Sequence, residues 1–164
     1  MKQLLIAFLL LPLCVVGDTY PEVVFDNSLV SGSYARSRVH YTGNSWVENV
    51  NKHLLVSDTL FFTPGNALSL KYISARGGSW TADIHYSRQK LLYRDLDSDF
   101  LTFRLLIKSG GTTQQDLPQI YITQRSIKTD TLDIDKYITD FKHDTWLKVR
   151  IPCKDFKGLD NDKP

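Results

Sequence analysis

Alternation of apolar and polar residues, with a period of two, is the feature that most limits what this chain can fold into. In residues 101–108, Leu101, Phe103 and Leu105 are separated by polar Thr102 and Arg104. Such alternation is typical of β-strands with one buried and one solvated face. The pattern predicts strands at residues 67–75, 80–86, 101–108, 120–123 and 146–151, and shorter ones at 22–26 and 54–57. Trp80 falls on the apolar positions of its strand and is predicted to lie in the core.

Turn-forming segments separate these predicted strands. They include Pro64-Gly65-Asn66, Gly77-Gly78 and Gly110-Gly111, which are dipeptides and tripeptides common in turns. Helical periodicity is limited to one turn at residues 135–141. Short strands with frequent turns predict an all-β, antiparallel sandwich or barrel.

The first 17 residues predict a secretory signal peptide rather than part of the fold. Lys2 precedes an apolar run from Leu4 to Val16, followed by Gly17 and Asp18. A charged start, an apolar core of about 7–15 residues and a small residue before the cleavage site define such a peptide. The run is shorter than the roughly 20 residues of a transmembrane helix. A buried N-terminal helix and a lipoprotein signal at Cys14 are the alternatives. We therefore predict one exported domain at residues 18–164, either secreted, periplasmic or at the cell surface.

Charge and cysteine content exclude several classes of protein. The chain of 164 residues has a net charge of +2, with 20 basic residues interspersed among 18 acidic ones. Nucleic-acid binding requires a concentrated basic patch, which the sequence lacks. After signal removal Cys153 is the sole cysteine, so no internal disulfide is expected. Its apolar neighbours favour a buried, inert thiol.

The C-terminal segment leaves the predicted sheet unfinished. The last predicted strand stops near Ile151, and residues 154–164 are polar. A sandwich without its final strand has an unpaired sheet edge. Either the chain is a fragment or another element completes the edge.

Four segments resemble galactose-binding-like jelly-roll modules. They are residues 65–72 (GNALSLKY), 77–82 (GGSWTA), 101–105 (LTFRL) and 146–152 (WLKVRIP), the last followed by Phe156. The resemblance implies a jelly-roll-like β-sandwich, lacking its last strand or strands, that accompanies secreted bacterial glycoside hydrolases, glucoamylase-like β-glucan enzymes among them. It also implies a catalytic domain further along the parent chain. A structural Ca²⁺ held with the help of Asp26 is a further implication.

No pattern predicts catalysis in this chain. The run Asp95, Asp97 and Asp99 offers oxygen ligands for Ca²⁺, but it lacks the glycine and glutamate of an EF-hand loop, and a solvated loop is the favoured alternative. The four histidines lack zinc-site spacing. Nucleophile-elbow and phosphate-binding motifs are absent from the sequence.

Sugar binding requires less than catalysis: an exposed aromatic face and a few hydrogen-bonding side chains. Trp46 lies in a polar segment and is predicted to contact sugar from a loop or to cover the core. Arg104, Tyr121 and Trp146 are assigned to outward strand positions, and with outward Lys148 and Arg150 they form a cationic, aromatic platform if their strands are neighbours. Ordinary surface residues are the alternative.

The sequence therefore predicts a non-catalytic module that binds a polysaccharide or oligosaccharide. Two alternatives remain open. One is a structural domain that packs against a catalytic domain of the same parent chain. The other is the front part of a glycoside hydrolase whose active site lies beyond residue 164.

Overall fold

A computed structural model describes residues 23–25, 27–86, 96–124 and 126–159. Its regular elements are short strands and 3₁₀ turns, and no α-helix occurs in these ranges. The 3₁₀ turns are Gln114–Asp116, Ile134–Tyr137 and Cys153–Asp155. The strands are β1 (Ser37–Thr42), β2 (Trp46–Val47), β3 (Leu55–Ser57), β4 (Ala67–Ser69), β5 (Tyr72–Ile73), β6 (Ser79–Ile84), β7 (Phe100–Leu106), β8 (Gln119–Ile120), β9 (Thr123–Gln124), β10 (Ile127–Lys128), β11 (Leu132–Asp133) and β12 (Trp146–Pro152).

Strand pairing divides the described chain into two halves. In the N-terminal half, residues 27–86, β1 pairs with β6, β2 with β5 and β3 with β4. In the C-terminal half, residues 96–159, β7 pairs with β12, β8 with β11 and β9 with β10. Every pair is antiparallel. The all-β, antiparallel prediction is confirmed, and the pairs are consistent with a β-sandwich; jelly-roll order stays a prediction.

The N-terminal half packs around one small apolar cluster. Val39, Val47 and Leu54 are buried at its centre. Trp80 packs against them, as predicted, with its ring centroid 4.6 Å from that of Tyr72. Burying these side chains on one face of each strand leaves the opposite face of β1 and β2 toward solvent.

The C-terminal half has a larger core built on the longest strand pair. Val149, Ile151 and Phe156 are fully buried there, together with Ile134 and Ile138. Further apolar side chains pack around them, including Leu101, Phe103 and Leu105 from β7 and Ile120 and Ile122 from the β8–β9 segment. The period-two pattern thus assigned the inward face of β7 and β12 correctly. Cys153 is buried, as predicted.

Several predicted elements differ from the observed ones. The strand predicted at 67–75 is interrupted at Leu70 and Lys71, which separate β4 from β5. Residues 23–25, the described part of the strand predicted at 22–26, are not in a strand. The helical turn predicted at 135–141 is the 3₁₀ turn Ile134–Tyr137. Strand β1 was not predicted.

Some predictions fall outside the described residues. These are the signal peptide at 1–17, Asp26, Asp95 and the polar segment beyond 159. Within the described ranges, no third strand pairs with β7 or β12. The same ranges contain no helix long and apolar enough to cross a bilayer.

Candidate functional site

The side of the β7–β12 pair that faces away from the core gathers aromatic and cationic side chains. Leu147, Val149 and Ile151 point inward, so the residues between them point outward. Pairing brings β7 and β12 into register, with Arg104 opposite Lys148 and Thr102 opposite Arg150. We call this surface the outer face; it consists of Phe100, Thr102, Arg104, Leu106, Trp146, Lys148, Arg150 and Pro152.

Two arginines of the outer face lie over aromatic rings. The guanidinium carbon of Arg150 is 3.5 Å from the ring centroid of Phe100. That of Arg104 is 4.3 Å from the ring centroid of Phe62, which comes from the loop between β3 and β4. Cation–π contacts of this kind stabilise exposed sites by about 0.5–1 kcal/mol. They restrict both guanidinium groups to positions beside apolar surface.

Trp146 connects this aromatic set to a shallow cleft. Its ring meets that of Phe62 edge-on, at 6.0 Å between centroids and 70° between planes. Trp146 also borders a cleft of about 230 Å³. The remaining lining residues are Ile138, Thr139, Asp140, Lys142, Thr145, Leu147 and Lys148. Lys142 pairs with Asp140 at 2.5 Å, so the cleft offers hydroxyl, ammonium and carboxylate groups beside an indole ring.

The charge of the outer face has one sign. Arg104, Lys148 and Arg150 are exposed cations, and the outward positions of β7 and β12 contain no acidic residue. Within the described part of the chain, the salt bridges involve Lys71, Lys108, Lys136 and Lys142, none of which is on these strands.

The structure unites only some of the residues predicted to form a platform. Arg104 and Trp146 share the outer face with Lys148 and Arg150. Tyr121 lies elsewhere, between β8 and β9, and its hydroxyl donates a 2.8 Å hydrogen bond to Asp83 Oδ1. A sugar-binding role for Tyr121 stays a prediction, separate from the outer face.

Tyr121 joins the two halves of the molecule. Its hydroxyl donates a hydrogen bond to Asp83 on β6, and the ammonium group of Lys128 lies 3.8 Å from the centroid of its ring. Burial, followed by the hydrogen bond to Asp83 and the charge of that residue, raises the pKa of Tyr121 to about 12. A second link is the 2.6 Å hydrogen bond that the Tyr72 hydroxyl donates to the Asp116 carbonyl oxygen.

Trp46 is on a strand and not in a loop. It occupies β2 opposite Ile73 of β5, while its neighbour Val47 is fully buried on the other side. Trp46 is half-buried and Ile73 is exposed. The two form a small apolar surface on the N-terminal half, where sugar contact by Trp46 stays a prediction.

The described residues provide no clear catalytic or metal-binding set. Among them, no group of three or more His, Cys, Asp or Glu side chains could hold a metal ion. Two aspartates have lowered pKa values, and hydrogen bonds from neighbouring side chains are the main cause. Hydrogen bonds from Thr113 lower the pKa of Asp116, and hydrogen bonds led by that from Lys108 lower the pKa of Asp144.

Sequence reasoning missed Phe62 and Phe100 as members of this site. Phe62 belongs to an apolar run, Leu60-Phe61-Phe62, in an otherwise turn-rich segment, and these side chains are 44%, 38% and 52% exposed. Three consecutive exposed apolar residues are unusual on a protein surface. That run was the available indication in the sequence.

The comparisons with known proteins indicate a part of a carbohydrate-active enzyme. No protein-family model matches the sequence. The fold is similar to part of a solved structure, the crystal structure of a β-1,2-glucanase from Parabacteroides distasonis. The TM-score is 0.75, with 34% sequence identity, over 84% of this chain and 20% of that one.

The sequence of this chain also matches part of a characterised enzyme from the same organism. The chain is 36% identical over 144 residues to an exo β-1,2-glucooligosaccharide sophorohydrolase acting at the non-reducing end. The match covers 86% of this chain and 20% of the relative. The chain is therefore homologous to about one fifth of a β-1,2-glucan-degrading enzyme.

Proposed function

We propose that this chain is a non-catalytic accessory module of a carbohydrate-active protein and that its outer face contacts a β-glucan. The proposal rests on the match to one fifth of a β-1,2-glucanase, and this match extends over most of the described strands. The absence of a clear catalytic motif in the sequence favours a supporting role. The substrate class is that of the relative, an exo β-1,2-glucooligosaccharide sophorohydrolase.

The chemistry of the outer face fits glycan contact. Pyranose rings present apolar C–H faces to aromatic side chains, and their hydroxyls need donors and acceptors. Trp146 provides the aromatic surface, and Thr139, Asp140 and Lys142 line the same cleft. At about 230 Å³ the cleft is smaller than the 300–1,000 Å³ typical of drug-sized ligands. It therefore suits one sugar unit of a chain that continues over the face.

Calorimetric titration with β-1,2-glucooligosaccharides tests this proposal. We expect measurable binding by the folded chain and a loss of about three- to tenfold in affinity for Trp146→Ala, the equivalent of one aromatic contact. Trp46→Ala tests the other predicted sugar contact, because Trp46 lies on the other half. No binding by the folded chain, or a loss in Trp46→Ala with none in Trp146→Ala, contradicts a glycan site at the outer face.

A second candidate function is favoured by the exposed run Leu60-Phe61-Phe62. Consecutive apolar side chains at a protein surface often mark an interface. The alternative is a structural module that packs this run against a catalytic domain of the parent protein. Replacing Phe61 and Leu60 by serine separates the two functions: a docking module then loses its partner domain in pull-down, whereas glycan affinity is unchanged.

We also propose that the parent protein is an exported glycoside hydrolase whose catalytic groups lie outside residues 18–164. Export predicts that residues 1–17 are removed, which mass spectrometry of the mature protein measures. A mature chain that retains Met1 contradicts it. Activity assays on the parent protein and on this module alone test the location of catalysis.

A further inference from the structure

Three cations form a compact strip on the outer face, whose positions on β7 and β12 contain no carboxylate. Arg104 and Lys148 are cross-strand partners, and Arg150 follows two residues later. Cross-strand partners lie about 5 Å apart, and residues i and i+2 about 7 Å apart. The three side chains therefore arise from backbone positions within about 8 Å of one another. We call them the cationic strip.

This arrangement is unfavourable without a ligand. Like charges directly opposite each other destabilise a sheet, and the Arg104–Lys148 pair is such a pair. The chain has 18 acidic residues, yet none occupies an outward position of β7 or β12. An oxyanion bound between the cations would remove the repulsion.

The aromatic contacts prepare the two arginines for such a ligand. Arg104 and Arg150 lie over Phe62 and Phe100, respectively. A guanidinium stacked on a ring keeps its in-plane N–H groups, whose fork geometry matches carboxylate and phosphate oxygens. Lys148 adds a mobile point charge between them. A neutral glucan makes no use of this charge.

We propose that the cationic strip recognises an oxyanion substituent, a carboxylate or a phosphate ester, carried by the glycan whose sugar ring contacts Trp146. This inference rests on the proposed glycan binding and specifies its substrate as an acidic, substituted β-glucan. Nucleic acid is a weaker candidate because three cations in a chain of net charge +2 do not form an extended basic track.

The experiment compares three probes of equal length by calorimetry: an unsubstituted β-1,2-glucooligosaccharide, its succinyl half-ester and its phosphate ester. We expect at least one anionic probe to bind about tenfold or more tightly than the neutral probe, as one charge-assisted hydrogen bond would give. The advantage should shrink as salt is raised, because these cations are exposed. The two anionic arms distinguish carboxylate from phosphate recognition.

Lys148→Gln and Arg104→Gln should each remove most of the anionic advantage, measured as the ratio of anionic to neutral affinity, because Lys148 also lines the cleft and its loss can change neutral binding as well. Lys71→Gln is the matched control, since Lys71 is an exposed lysine on the N-terminal half that pairs with Glu48 at 4.0 Å. Arg150→Gln is a further strip variant if one of the others does not fold, which denaturant unfolding will show.

Three outcomes overturn the inference. If neutral and anionic probes bind equally at low salt, the strip has no anion specificity, although the proposed glycan binding stands. If an acidic peptide such as oligoglutamate binds to the strip and both anionic sugars do not, the ligand is a protein surface. Absence of binding by every probe contradicts both this inference and the proposed function.

Discussion

Replacing the Phe62 ring by an aliphatic side chain is expected to weaken two contacts of the outer face together. Phe62→Leu preserves much of the apolar surface but removes the π-system under Arg104 and the edge-on partner of Trp146. The cation–π contact contributes about 0.5–1 kcal/mol at an exposed site, and an aromatic pair about 0.5–1.5 kcal/mol. The expected loss is therefore about 1–2.5 kcal/mol of unfolding free energy.

Urea unfolding of the single and double variants measures this loss. In a double-mutant cycle, Phe62→Leu and Arg104→Gln should show a coupling energy of about 0.5–1 kcal/mol. Phe61→Leu is the matched control, because Phe61 is its exposed sequence neighbour and has no ring contact among the described residues. The reasoning is refuted if the coupling is zero within error, or if Phe61→Leu costs as much as Phe62→Leu.

Three further predictions concern the fold. Ile151→Ala should lower the free energy of unfolding by about 2–5 kcal/mol because Ile151 is fully buried. Ile127 is 61% exposed, so Ile127→Ala should change it by no more than about 0.5 kcal/mol. Equal losses in urea unfolding would contradict the assigned core. Gly78→Ala should cost about 1–3 kcal/mol of unfolding free energy, because the added Cβ would lie 2.5 Å from the Thr42 carbonyl oxygen. An unchanged melting temperature would contradict this close contact between Gly78 and Thr42. The pKa of Tyr121 is raised from 10.0 to about 12, which favours its neutral form in the fold. Its contribution to stability is complete below pH 10 and is lost as the pH rises through 12; Tyr121→Phe should flatten that decrease in pH-dependent unfolding.

Long, regular alternation was enough to predict the strands that carry the site. Residues 101–105 of β7 and 147–151 of β12 follow the period of two, and the pairing of these strands placed Arg104 and Trp146 on one face. Strand β1 was missed because its buried positions include a serine. The Ser37 hydroxyl donates to the Tyr34 carbonyl oxygen and accepts from the Leu54 N–H. These bonds satisfy a buried polar group that a hydrophobicity pattern counts as exposed.

The rest of the site depends on contacts distant in sequence. Phe62 is 42 residues from Arg104 (104 − 62) and 84 from Trp146 (146 − 62), so no local pattern could connect them. Tyr121 was predicted at an outward strand position, but it lies between β8 and β9, and its hydroxyl donates a hydrogen bond to Asp83 of the other half. Alternation specifies the face of a strand and not the element that the face meets.

The division of strand pairing into two halves has a consequence for dynamics. Each half encloses its own apolar cluster, and independent clusters are the units that open separately in hydrogen exchange. Phe62 belongs to one half, and Arg104 and Trp146 belong to the other. Transient separation of the halves would therefore remove Phe62 from Arg104 and Trp146 while both cores stayed folded. A glycan that binds more tightly when Phe62 is in place would slow amide exchange at the junction between the halves.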